Sequence, residues 1–191
     1  MCKSVRGLLL LVGAVLVQAF ILLFVLPCVS EAGGPYQVYT VPACKILDTR
    51  YGSGDAFGGV PHRLAPGETM IIDVAEGFIA GQGGESNCNI PFPEATGVFI
   101  NVVTLKRSNA VQVQNPANNG LYIYPYLSAK PGNASMRYNP TGYTSNSMFV
   151  PLCADANLGG AGCSDDLTIT NGSYAYVDFY IVVTGYVRAA P

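Results

Sequence analysis

The chain predicts an all-β fold: an antiparallel β-sandwich, jelly-roll-like, with about ten short strands and two disulfides. Three observations carry this expectation. After residue 32 no stretch sustains a helical period; the apolar runs are short, β-branched or aromatic, and bounded by Gly, Pro, Asn or Ser. Gly and Pro are abundant, 22 and 13 among 191 residues, and supply turns. Four cysteines follow residue 32, an even number in a chain that opens like an exported one.

The opening has the three parts of a secretory signal. Lys3 and Arg6 precede an apolar run over 8–26 in which only Gln18 is polar, and Pro27 breaks it. Small residues at Ser30 and Ala32 suit cleavage after Ala32, which makes 1–32 a signal peptide. An uncleaved anchor is the alternative, because the run is long enough to span a bilayer. Cys28 follows Pro27, which does not suit a lipid-modified cysteine. Residues 33–191 are expected outside the cell, secreted or attached to its surface, and membrane contact is expected only through an uncleaved N-terminal segment.

Composition excludes several classes. The 50% apolar content is concentrated at the start, where 23 of the first 32 residues are apolar. The leader carries Lys3, Arg6 and Glu31, so its removal moves the formal charge from −2 to −3. That leaves no basic field for nucleic acid. One His and no Trp exclude a site built from several imidazoles.

Strands are expected at 36–41, 45–49, 69–74, 97–105, 110–114, 121–124, 134–138, 147–152, 167–170 and 174–187. Residues 33–42 read as an N-terminal extension or first strand, and 43–191 as a single sandwich domain. The Gly- and Pro-rich stretches 51–67 and 77–93 read as long loops. In the last strand Ala175, Val177, Phe179, Ile181 and Val183 alternate toward the core, with Tyr174, Tyr176, Asp178 and Tyr180 opposite. In GLYIYPY, Leu121 and Ile123 share one side and Tyr122, Tyr124 and Tyr126 the other.

Four exported cysteines allow three pairings. Cys153 and Cys163 flank one Gly-rich loop, so a local bridge is the simplest closure and leaves Cys44 with Cys88. A four-thiolate zinc site lacks any CxxC pair.

CKILDTR at 44–50 resembles the C-R-(I/V/L)-x-D-T-R opening of a β-rich module family of exported bacterial proteins. CNIP at 88–91, GVFINVVTL, GLYIYP, PGNASMRYNP, SMFVPL and VDFYIVVTGYV resemble later segments of that family in the same order. The ordered set spans nearly all of 42–187. The resemblance implies a Cys44–Cys88 bridge and an extracellular module that stands beside enzyme or envelope domains. The chain departs from the pattern at Cys153 and Cys163, which are additional, at Val182, where the family often has Asp, and in an enlarged loop at 77–87.

Asp48-Thr49-Arg50 closes a strand, and reads as a structural motif in which Asp48 accepts backbone N–H bonds while Arg50 covers the sheet edge or pairs with a carboxylate. His62 reads as a loop residue, because no nucleophile elbow accompanies it. Asp48, Asp73, Asp165, Asp166 and Asp178 are candidate carboxylate pairs, but spacing brings no two of them together. Asp155, Asn157, Asp165 and Asp166 frame the Cys153–Cys163 loop as a weak calcium candidate. No other cofactor is expected, and no catalytic motif is present. Asn133-Ala134-Ser135 and Asn171-Gly172-Ser173 fit the N-glycan acceptor pattern.

All twelve tyrosines lie at or after residue 36. Tyr122, Tyr124, Tyr126, Tyr174, Tyr176 and Tyr180 form the candidate binding surface, since Tyr combines flat apolar area with a hydroxyl. The expected function is non-catalytic: a structural, assembly or adhesion subunit whose partners are like subunits or a cell-envelope component. A carbohydrate-binding module using the Tyr faces on an extracellular glycan is the alternative.

Overall fold

Two antiparallel four-stranded sheets carry the domain. The computed structural model describes residues 36–52, 62–74, 79–85, 87–91, 94–105, 120–139, 141–153 and 166–190, all within one compact unit, Pro35–Pro191. The strands are β1 (Tyr36–Asp48), β2 (Thr69–Ile72), β3 (Ala95–Thr104), β4 (Gly120–Pro125), β5 (Met136–Arg137), β6 (Thr144–Pro151), β7 (Leu167–Asn171) and β8 (Phe179–Ala189). A 3-10 turn, Ile79–Gln82, lies between β2 and β3. No helix among the described residues is long and apolar enough to cross a membrane.

The pairing is nested. β1 pairs β8, β2 pairs β7, β3 pairs β6 and β4 pairs β5, as if one long hairpin were rolled up. The first sheet runs β1-β8-β3-β6 and the second β2-β7-β4-β5. Period-2 alternation decides which side chains enter the core. Val98, Ile100 and Val102 of β3 and Phe179, Ile181 and Val183 of β8 are buried from the first sheet. Met70, Ile72, Leu121, Ile123, Leu167 and Ile169 are buried from the second.

Among the described residues eight strands stand where ten were expected along the chain. The expected strands 36–41 and 45–49 are one strand, β1, because an irregularity between Thr40 and Cys44 accommodates Pro42 without ending the ladder. Proline donates no N–H, and β1 is an edge strand where that costs little. The expected strand 110–114 falls outside the described residues. The last strand begins at Phe179 rather than 174, so Ala175 is only half-buried, while Val177 joins the ladder through an isolated bridge to Leu64. Asp178, expected on the exposed side with the tyrosines, is buried and ion-paired to Arg63 at 3.2 Å.

One of the two expected disulfides has both partners described: Cys44–Cys88, with Cα atoms 5.6 Å apart. It ties β1, just past its irregularity, to the segment before β3. Cys153 is also disulfide-bonded, and Cys163 lies outside the described residues. The Cys44–Cys88 bridge spans 44 positions, and closing that loop restricts the unfolded chain. The Cys44→Ser/Cys88→Ser double variant is therefore expected to lose about 3 kcal/mol. The melting temperature should fall by roughly 10 °C in differential scanning calorimetry under oxidising conditions.

Candidate functional site

The Asp48-Thr49-Arg50 motif is a structural joint. Asp48 has no solvent exposure, yet lies beneath half-exposed cations rather than in the apolar core. Its Oδ1 accepts from Arg50 Nε at 2.9 Å and from the Arg50 backbone N–H at 3.2 Å. Its Oδ2 accepts from Arg50 Nη2 at 2.8 Å and Lys45 Nζ at 3.3 Å. Thr49 carries the β1–β8 ladder one step further: Oγ1 donates to the Phe179 carbonyl at 3.2 Å and accepts the Phe179 N–H at 3.0 Å. Arg50 and Lys45 then lie over the Tyr51 ring, at 5.0 and 5.9 Å from its centroid.

Burial pushes the Asp48 carboxyl up, but bonds to the Arg50 side chain and backbone, the Arg50 charge and the Lys45 ammonium outweigh burial and hold it below its ordinary value. A lowered folded value means that the stabilisation is present above the ordinary Asp range and is lost as pH falls through the folded value.

His62 is a loop tie, its Nε2 2.5 Å from Glu68 Oε1, while Glu68 Oε2 accepts the Ala65 N–H at 2.6 Å. Of the calcium candidates, Asp155, Asn157 and Asp165 lie outside the described residues. Asp166 is buried and accepts the Val74 N–H at 2.7 Å, so it serves as a strand-end acceptor. Among the described residues no cluster of acidic, His or Cys side chains could hold a metal.

The two acceptor-like sequences separate. Asn133 is exposed. Asn171 is fully buried and is a hub: its Nδ2 donates to the carbonyls of Leu64 at 3.0 Å and Ala175 at 2.8 Å. Its Oδ1 accepts from the Ser173 N–H and the Tyr138 hydroxyl, both at 3.0 Å. Burial pushes the Tyr138 hydroxyl above its ordinary value, and its bond to Ser173 offsets part of that. Between them Gly172 seats the Tyr122 ring; a Cβ there would lie 2.3 Å from it. Asn-Gly-Ser at 171–173 is thus an internal joint, closed to modification in the folded chain.

The six candidate tyrosines do not form one surface. Tyr122 and Tyr124 are half-buried on the outer side of the second sheet, where Tyr122 rests on Gly172 and Tyr124 meets the Thr170 hydroxyl at 3.1 Å. Lys130 lies over the Tyr122 ring at 4.7 Å. Tyr126 is half-buried at the end of β4. Tyr180 is half-buried in the first sheet, opposite Asp48 and Val103. Tyr174 and Tyr176 are exposed, 68% and 51%, in the β7–β8 loop.

The surface that sequence reasoning missed is the outer face of the first sheet. Thr40, Gly185, Phe99 and Phe149 stand in one cross-strand row over β1, β8, β3 and β6. They line a groove of about 450 Å³ together with Val38. Phe99 and Phe149 meet with centroids 5.2 Å apart, and the Phe149 ring leans over Gly97, where a Cβ would lie 2.3 Å from it. Val38 is 63% exposed and Phe149 47%. The available signal was Gly97 and Gly185 inside strand patterns, since glycine there marks a close approach or a gap. A second trough of about 450 Å³ runs between β4 and β6, lined by Tyr124, Pro131, Asn133, Ser135 and Phe149 among others.

No family model matches the chain, and neither a curated protein nor a solved structure matches it.

Asp48→Asn is expected to cost about 3 kcal/mol at neutral pH by leaving two cations over an uncharged amide. In urea titrations, wild-type stability should decline as pH drops below about 4, with a flatter profile for the variant. Asn171→Ala is expected to cost about 3 kcal/mol or more, because it strands several buried backbone and side-chain partners. Asn133→Ala should leave the urea midpoint unchanged.

Proposed function

We propose that the chain is an extracellular, non-catalytic module that works by contact, as a structural or assembly subunit at the cell surface. The observation that carries this reading is the outer face of the first sheet. Its edge strand β1 exposes Tyr36 and Val38, its other edge strand β6 exposes Phe149, and an apolar groove runs between them. Large apolar groups gathered on one sheet face mark an interaction surface more often than scattered ones do. The export-like opening and the buried Cys44–Cys88 bridge support an oxidising location. The resemblance to exported bacterial modules agrees with this role, and the nested pairing supports its jelly-roll-like reading.

The trough between β4 and β6 favours a second reading, a glycan-binding module. Two aromatic rings, Tyr124 and Phe149, stand there with the exposed Asn133 amide, a combination suited to a sugar's apolar face and its hydroxyls. Light scattering and electron microscopy of the exported protein, run beside a glycan array, separate the two. Ordered oligomers without added sugar are expected. Monomers retained by a defined glycan would replace assembly with sugar binding.

A further inference from the structure

The edge strand and the groove beside it are complementary to each other. Tyr36, Val38 and Thr40 alternate on the outer face of β1, and Thr40 begins the row that crosses Gly185 to Phe99 and Phe149. The Tyr36 ring is 60% exposed and is not part of the groove wall. An apolar knob thus stands at position i of an edge strand, and an apolar gap opens beside position i+4 on the same face.

We propose that a second copy of this chain occupies the groove, through antiparallel pairing of β1 with β1 about a two-fold axis at Val38. Such pairing sets residue i of one copy opposite i+4 of the other, so each Tyr36 falls opposite the other copy's Thr40. From there its ring extends along the cross-strand row over Gly185 toward Phe99. An aromatic ring laid over a strand glycine covers backbone that the glycine leaves bare. The contact is made twice, as an isologous interface requires.

Three further features fit this occupant. The segment from Tyr36 to Cys44 carries no charge, so the edge lacks the Lys or Glu guard that keeps strands from pairing. The opposite face of the same segment is clamped: Tyr39 stacks on Tyr186 with centroids 5.0 Å apart, and Arg188 lies 4.5 Å over Tyr39 while Nη2 donates to its hydroxyl at 3.1 Å. A strand already held flat loses little freedom on pairing. Pro42, with no N–H to give, ends the pairing region and confines it to 36–41.

This inference rests on the assembly reading and narrows it to one interface. The test uses the full chain, solubilised in mild detergent where needed, by sedimentation over a wide concentration range. A dimer is expected. Val38→Lys should convert it to monomer with an unchanged circular dichroism spectrum, since Val38 is exposed in the single chain. Tyr36→Ser should weaken dimerisation about thirtyfold. Val38→Cys should form a symmetric disulfide dimer on mild oxidation, while Ile71→Cys, on the edge strand of the other sheet, should not. A monomeric wild type overturns the proposal. So does a dimer that survives Val38→Lys and gives no Val38→Cys cross-link; in that case the assembly reading stands and only the interface is wrong.

Discussion

Every strand that ends inside this domain leaves backbone groups that must find partners without extending a ladder, and polar side chains supply them. Thr49 takes both the N–H and the carbonyl of Phe179. Ser135 does the same for Ile123, at 2.9 and 3.0 Å. Gln82 accepts the Asp73 N–H and donates to the Asp73 and Ile46 carbonyls, joining the end of β2 to β1. Asn171 closes the turn after β7 against Leu64 and Ala175. Without these the apolar inner faces would still attract one another, but the rolled hairpin would have unpaired polar groups at its corners.

The same constraint explains why segments with a chemical look are structural. Asp48 and Arg50 suggest a charged ligand site, yet the carboxylate is consumed by Arg50, its own turn and Lys45. Asn171-Gly172-Ser173 suggests a modification site, yet Asn171 is buried, Gly172 seats a ring and Ser173 bonds Asn171. Asp166 suggests an ion ligand, yet it receives the Val74 N–H. Among the described residues, the outer face of the first sheet and its edge strand expose Tyr36, Val38 and Phe149.

Much of the fold was legible because a half-buried strand writes its burial into alternate residues. Phe179, Ile181 and Val183 were readable as core, and so were Leu121 and Ile123. Strands 36–41 and 45–49 were expected as two because a single sequence does not say that the segment around Pro42 lies on a sheet edge, where a missing N–H is tolerated. Asp178 was misread as exposed because its partner, Arg63, lies far away in the chain. The six tyrosines are distributed between the two sheets and the β7–β8 loop, which their spacing in the chain does not reveal. Tyr and Phe have the same pattern in a strand whether a glycine, a threonine or solvent lies beneath them.

By itself the sequence determined the class of this protein: a β-rich domain of small net charge, with Cys44 and Cys88 available to be joined. Those properties follow from composition, period and spacing, which are local. Tertiary structure alone decided which strands are neighbours. It therefore decided that Thr40, Gly185, Phe99 and Phe149 form one row and that Tyr36 stands free beside it. The reason is physical: a groove on a sheet face is made by residues from four strands far apart in the chain, and only their register puts Gly185 between Thr40 and Phe99.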